Sequence, residues 1–96
     1  MELILIYDIA TPDRQGERRL RRVAKACEGF GIRVQRSVFE CRITEASYEQ
    51  FIHKIRQIID HRSDRVTIYI VPGGIPASRT DLGTQAPFTI DSPWIL

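Results

Sequence analysis

Hydrophobic positions fall along this chain in short extended runs separated by helical stripes. Residues 3–7, Leu-Ile-Leu-Ile-Tyr, form an unbroken apolar run rich in branched side chains. Such a run predicts a central strand, or one buried on both faces. Asp8-Ile9-Ala10-Thr11-Pro12-Asp13 ends it, because proline has no N–H for a ladder, and a loop follows. From residue 17 to about 30 the period turns helical. Leu20, Val23, Ala24 and Cys27 fall at i, i+3, i+4 and i+7 and make one apolar stripe. Gly29 and Gly31 close this helix. Asp13 reads as a turn or capping residue.

Residues 32–43 are extended, but their apolar phase slips. Ile32, Val34 and Val38 share one parity, whereas Phe39, Cys41 and Ile43 share the other. A one-residue slip moves every side chain to the opposite face. Either a bulge sits near residues 36–38, or two short strands meet there in a tight turn. Thr44, with Ser47 competing, caps a second helix that carries Tyr48, Phe51, Ile52, Ile55, Ile58 and Ile59. A strand over 65–71 follows, with Val66, Ile68 and Ile70 on one face. Pro72-Gly73-Gly74-Ile75-Pro76 ends it. With two strands in the middle, the order is βαββαβ, an α+β ferredoxin-like sandwich. Residues 1–75 are expected to form this domain. Residues 76–96 form a tail with one short strand candidate at 87–90 and an apolar end, Trp94-Ile95-Leu96. Free apolar termini are unusual. The tail is expected to pack on its own domain or on a second copy, where its strand would extend that copy's sheet.

Composition narrows the function classes. The 96 residues allow one domain, and 43% hydrophobic with 27% charged residues is ordinary for a globular protein. The apolar runs are far shorter than the roughly 20 residues of a membrane helix. Glu2 and Asp8 interrupt a signal-peptide pattern, so a cytoplasmic location is expected. Cys27 and Cys41 lie in no metal-binding or redox spacing and read as small buried hydrophobes.

Charge changes the picture more. The net charge is +2, yet residues 14–36 carry eight basic residues against Glu17 and Glu28, a local +6. A charge run is usually a solvated face, but solvated faces mix signs. Arg14, Arg18, Arg19, Arg22, Arg33 and Arg36 are therefore candidate phosphate contacts for a nucleic acid. Asp8, directly after a rigid strand, is a candidate metal ligand. One carboxylate is a thin site, and Mg²⁺ tolerates this because water and phosphates complete its shell. A symmetric dimer with one Asp8 from each chain would supply two. His53 and His61 read as exposed helix histidines, and Ser37 has no histidine partner nearby in sequence.

Tyr7-Asp8-Ile9, the Arg-rich helix and Arg33-Val34-Gln35-Arg36-Ser37-Val38-Phe39-Glu40-Cys41 together resemble the CRISPR-associated Cas2 family. The closing Asp91-Ser92-Pro93-Trp94-Ile95-Leu96 is similar to that family's C-terminal end. The resemblance implies a ferredoxin-like fold, a homodimer paired through its sheet faces, and a tail strand added to the partner's sheet. It implies Asp8 as the catalytic and metal residue, with one Mg²⁺ shared by Asp8 of both protomers. It implies endonuclease activity on single-stranded RNA or double-stranded DNA. It further implies a role in antiviral spacer acquisition, bridging dimers of the Cas1 integrase. Arg33, the first-helix arginines and Phe39 are tied to activity by the same resemblance, with Tyr7 and Ser37 as further possible substrate contacts. The family fold implies that the phase slip is the junction of two strands. Two other readings share the fold: a DNA-binding scaffold without chemistry of its own, and a toxin-type ribonuclease resembling virulence-associated protein D.

Overall fold

The structure, a computed structural model, describes residues 1–84. The strand candidate at 87–90 and the apolar end at 94–96 lie outside the described residues. Strand β1 (Glu2–Asp8) leads through a loop to helix α1 (Arg14–Glu28). Strands β2 (Gly31–Gln35) and β3 (Val38–Arg42) follow, then helix α2 (Glu45–Ile58), strand β4 (Arg65–Ile70) and a short helix α3 (Ile75–Ser78). The four strands form an antiparallel sheet in the order β2-β3-β1-β4. This is the ferredoxin-like α+β arrangement expected from the pattern.

Local chemistry sets the boundaries. α1 begins three residues before its helical period does, because the Asp13 carboxylate accepts the Gly16 N–H at 2.9 Å and caps the helix. Gly16 is needed for a second reason. A Cβ there would run into the Ala10 carbonyl oxygen, so the glycine lets α1 seat directly on the loop that leaves β1. Thr44, not Ser47, caps α2 by accepting the Ser47 N–H at 3.1 Å.

The phase slip has both of the causes that the sequence offers as alternatives. A two-residue turn at Arg36-Ser37 joins β2 to β3, and the β2–β3 register shifts between Arg33 and Gln35, which bulges the strand at Val34.

The core lies between one face of the sheet and the two long helices. Leu3, Leu5, Tyr7, Phe39 and Cys41 meet Val23, Ala24, Cys27, Phe51, Ile55 and Ile58. Burial pushes the Cys27 thiol up to about 12 and the Cys41 thiol up to about 11. Both stay protonated at neutral pH and behave as hydrophobes.

The other sheet face is partly open. Ile6 is 38% and Tyr69 57% exposed there, so β1 is central in the sheet but buried on one face only. The far end of this face is covered by the chain itself. The Glu2 carboxylate accepts the Ile75 N–H at 2.8 Å and the Arg42 guanidinium at 2.9 and 3.0 Å. Ile75 is buried, and Arg79 reaches Glu40 at 3.8 Å. The sequence shows no helical period at α3, because four residues are too few to display one.

Candidate functional site

Alternation along β1 puts Asp8 on the open face with Ile4 and Ile6, at the end that α3 leaves uncovered. Asp8 is exposed. Its neighbours in the sheet are Arg65 and the turn between β2 and β3. Across β4, Arg65 is its register partner. Across β3, the Tyr7 N–H donates to the Ser37 carbonyl at 3.0 Å, which carries the β1–β3 pairing into the turn and brings Arg36 beside the strand end. Ser37 is half-buried in that turn. Arg65 stands in no motif and was not expected at the site, since only the register reveals that the first residue of one strand faces the last of another.

The expected phosphate contacts divide into three groups. Arg14, Arg18, Arg21, Arg22 and Lys25 are exposed and, at 100° per residue, fall on the side of α1 away from the core. They lie on the helix layer, whereas Asp8 lies on the open sheet face. The structure therefore does not bring this stripe and Asp8 onto one surface. A cleft of about 610 Å³ between α1 and β2 forms the second group. Arg21, Lys25, Arg33 and Arg36 converge on it with Glu28, over an apolar floor of Leu20 and Ala24. Arg36 thus meets the end of β1 through its backbone carbonyl and the cleft through its side chain. Arg21 and Lys25 connect the helix stripe to Arg33. Their spacing of four on α1 is the signal that marks them as one face.

Arg19 stands apart as the third. Its Nε donates to Asp64 Oδ2 at 2.8 Å and its Nη2 to the Ala10 carbonyl at 3.3 Å. Its guanidinium is thereby turned inward onto a buried carboxylate, unlike those of the outward stripe. The Asp64 side chain is 0% exposed. It also accepts the Ala10 N–H at 3.0 Å and the Asp60 N–H at 2.8 Å. Burial alone would raise its carboxyl. The Asp60 N–H, the Arg19 guanidinium and the Ala10 N–H together outweigh this and hold it below its ordinary value of 3.8.

Glu2 is likewise held below its ordinary 4.5, chiefly by the Ile75 N–H, with burial opposing and Arg42 assisting. A carboxyl depressed in the folded state stabilises the fold above its unfolded pKa, and that contribution disappears as pH falls through the folded value. Thermal melts across pH should therefore be flat above about pH 5 and fall steeply below about pH 4. Asp64→Asn should flatten that acid limb. An unchanged limb would show that the ion pair does not couple folding to protons.

Tyr7 and Phe39, which read as core by default with substrate contact as the alternative, lie in the core at 4% and 0% exposure, and Tyr7 lines the inner wall of the cleft. Their burial suits them to positioning the site. The Tyr7 hydroxyl donates to the Arg36 carbonyl at 3.0 Å, and burial pushes its phenol up. The Arg33 guanidinium sits 5.4 Å from the centre of the Phe39 ring, a cation–π contact that aims it at the cleft. Tyr7→Phe removes only the hydrogen bond holding the turn. It should weaken nucleic-acid binding about 3- to 10-fold, a loss near 1 kcal/mol, with the melting profile lowered by a few degrees. Binding equal to wild type in a filter or anisotropy titration would count against the positioning role.

The match to known proteins follows this geometry closely. The family model for CRISPR associated protein Cas2 matches residues 1–74. The chain belongs to the Cas2 family. It is 38% identical over 96 residues to a CRISPR-associated endoribonuclease Cas2 of Moorella thermoacetica, covering all of both chains. It is 32% identical over 95 residues to a CRISPR-associated endonuclease Cas2 of Halalkalibacterium halodurans, covering 99% of each. Among solved structures, Streptococcus pyogenes Cas2 superposes with a TM-score of 0.77 at 38% identity, covering 86% of this chain and 100% of that one. The Tyr-Asp-Ile strand end and the Gln-Arg-Ser-Val-Phe-Glu hairpin, the two segments that carry the sequence resemblance, both fall within the matched Cas2 region. No helix among the described residues is long and apolar enough to cross a membrane.

Proposed function

We propose that this Cas2 chain is a nucleic-acid phosphodiesterase of CRISPR defence, working as a homodimer whose Asp8 residues share one Mg²⁺. The observation that carries this reading is the exposed Asp8 at a rigid strand end, with Arg65 opposite it in the cross-strand register. The donor set suits Mg²⁺, which takes one or two carboxylates and completes its shell with water and phosphate. It does not suit an ion needing a full protein cage: among the described residues no three His, Cys, Asp or Glu side chains converge. The open face supports the pairing, because Ile6 and Tyr69 offer apolar area on the same face as Asp8. When bound, Mg²⁺ supplies Lewis-acid stabilisation of a phosphoryl oxygen and a more acidic water. Asp8 holds its position, Arg65 orients a neighbouring phosphate, and the cleft around Arg33 and Arg36 grips the flanking strand.

A second reading gives the dimer no chemistry and makes it the DNA-carrying bridge between Cas1 integrase dimers during spacer acquisition. The placement of the α1 stripe on the layer opposite Asp8 favours it, since a duplex lying on that stripe would not meet Asp8. Cleavage of single-stranded RNA and of double-stranded DNA, measured with Mg²⁺ against EDTA, tests the first reading. Mg²⁺-dependent cutting of either substrate supports it. Salt-sensitive duplex binding without cutting overturns it in favour of the bridge.

A further inference from the structure

Asp64 stands in no sequence motif, yet its buried carboxylate ties together three segments of the chain. Its two oxygens receive hydrogen bonds from Ala10, Arg19 and Asp60, which belong to the β1 exit, to α1 and to the segment after α2. Asp64 itself directly precedes Arg65, the cross-strand partner of Asp8. Ala10 lies two residues beyond Asp8, and Arg19 holds the Ala10 carbonyl as Asp64 holds its N–H. Both polar groups of one backbone residue are therefore clamped by a single ion pair.

We propose that Asp64, acting through Ala10 and Arg19, is a positioning residue that fixes the Asp8 end of β1 against the Arg65 end of β4. The proposal rests on the metal reading of Asp8 given above and adds the group that presets its geometry. Strand pairing orients Asp8 only up to its own position, because β1 ends there. Beyond it the chain turns into a loop, and the clamp on Ala10 replaces the missing ladder. The same ion pair seats α1, so the helix that carries the basic stripe and the strand end that carries Asp8 share one anchor. Outer partners that orient a metal ligand typically change metal affinity by about 10- to 100-fold when removed.

The test is Asp64→Asn in the full chain, with three readouts beside wild type: Mn²⁺ binding by electron paramagnetic resonance, the Mg²⁺ concentration for half-maximal cleavage, and nucleic-acid affinity without metal. Asparagine keeps the shape but cannot accept from both Arg19 and Asp60 on its nitrogen side. The expected result is Mn²⁺ binding and Mg²⁺ half-saturation weakened about 10-fold or more, with nucleic-acid affinity within about 2-fold of wild type, because the exposed arginines are untouched. A merely structural role would move all three together or none. Should Asp64→Asn not fold, Arg19→Lys keeps the charge but cannot donate to Asp64 and the Ala10 carbonyl in the same forked geometry. It is expected to shift the metal readouts in the same direction by a smaller factor. Unchanged metal binding in a folded variant overturns the positioning role alone. Wild type that neither binds Mn²⁺ nor cuts overturns the metal reading of Asp8, and this proposal with it.

Discussion

Asp8→Asn lowers Mg²⁺-dependent cleavage by about 100-fold or more while leaving fold and nucleic-acid binding intact. The magnitude follows from what the carboxylate does. Lewis-acid stabilisation of a phosphoryl transition state is worth several kcal/mol, and each 1.36 kcal/mol is tenfold in rate. In the proposed dimer one substitution removes both carboxylates of the shared site, so no protein ligand remains there. The structural cost is small because Asp8 is exposed and its cross-strand position opposite Arg65 contributes at most about 1 kcal/mol. Equal cleavage by wild type and variant would place the activity elsewhere. Loss of cleavage together with loss of binding would mean that Asp8 orders the surface rather than the reaction.

The second large effect concerns binding. Neutralising Arg18, Arg21 and Arg22 to alanine should flatten the salt dependence of duplex binding by about 3 in log–log slope, close to 0.9 for each phosphate no longer neutralised. Between 50 and 200 mM salt, wild type should therefore lose about 40-fold more affinity than the triple variant. Alanine is a better helix former than arginine, so α1 is not weakened by the change itself. Arg19→Ala belongs to a different class. It breaks the ion pair with the buried Asp64 and should lower stability first, with binding following only through partial unfolding. A triple variant with an unchanged slope would show that the duplex rests on the cleft or the open face instead of the α1 stripe.

These contrasts depend on the tertiary placement of residues that look alike in the sequence. Arg18 and Arg19 are neighbours with the same chemistry, but α1 turns one to solvent and the other onto Asp64. The helical period sets Arg19 at the edge of the apolar stripe, 100° round from Arg18, but the carboxylate that receives it is 45 residues away. Tyr7 and Phe39 read as core by default, with substrate contact as the alternative, since aromatic side chains serve both. The register of β1 with β3 puts them side by side, their centroids 6.2 Å apart beneath the helices. Arg65 lies outside any motif, and only antiparallel pairing brings it opposite Asp8.

The sequence by itself determined what depends on period and on short-range chemistry. The apolar run of β1, the stripes of α1 and α2, the caps at Asp13 and Thr44, and the strand at β4 are legible because backbone geometry repeats every two or 3.6 residues. Asp8 as the candidate carboxylate and the excess of positive charge over residues 14–36 are equally plain. Only the tertiary structure decided which face each charge occupies. It placed the α1 stripe and Asp8 on opposite layers, directed Arg36 into the cleft, and buried Asp64 as an anchor between β1, α1 and the segment after α2. The physical reason is that long-range pairing sets sheet register and side-chain burial, and a linear pattern does not encode which distant residue will be opposite.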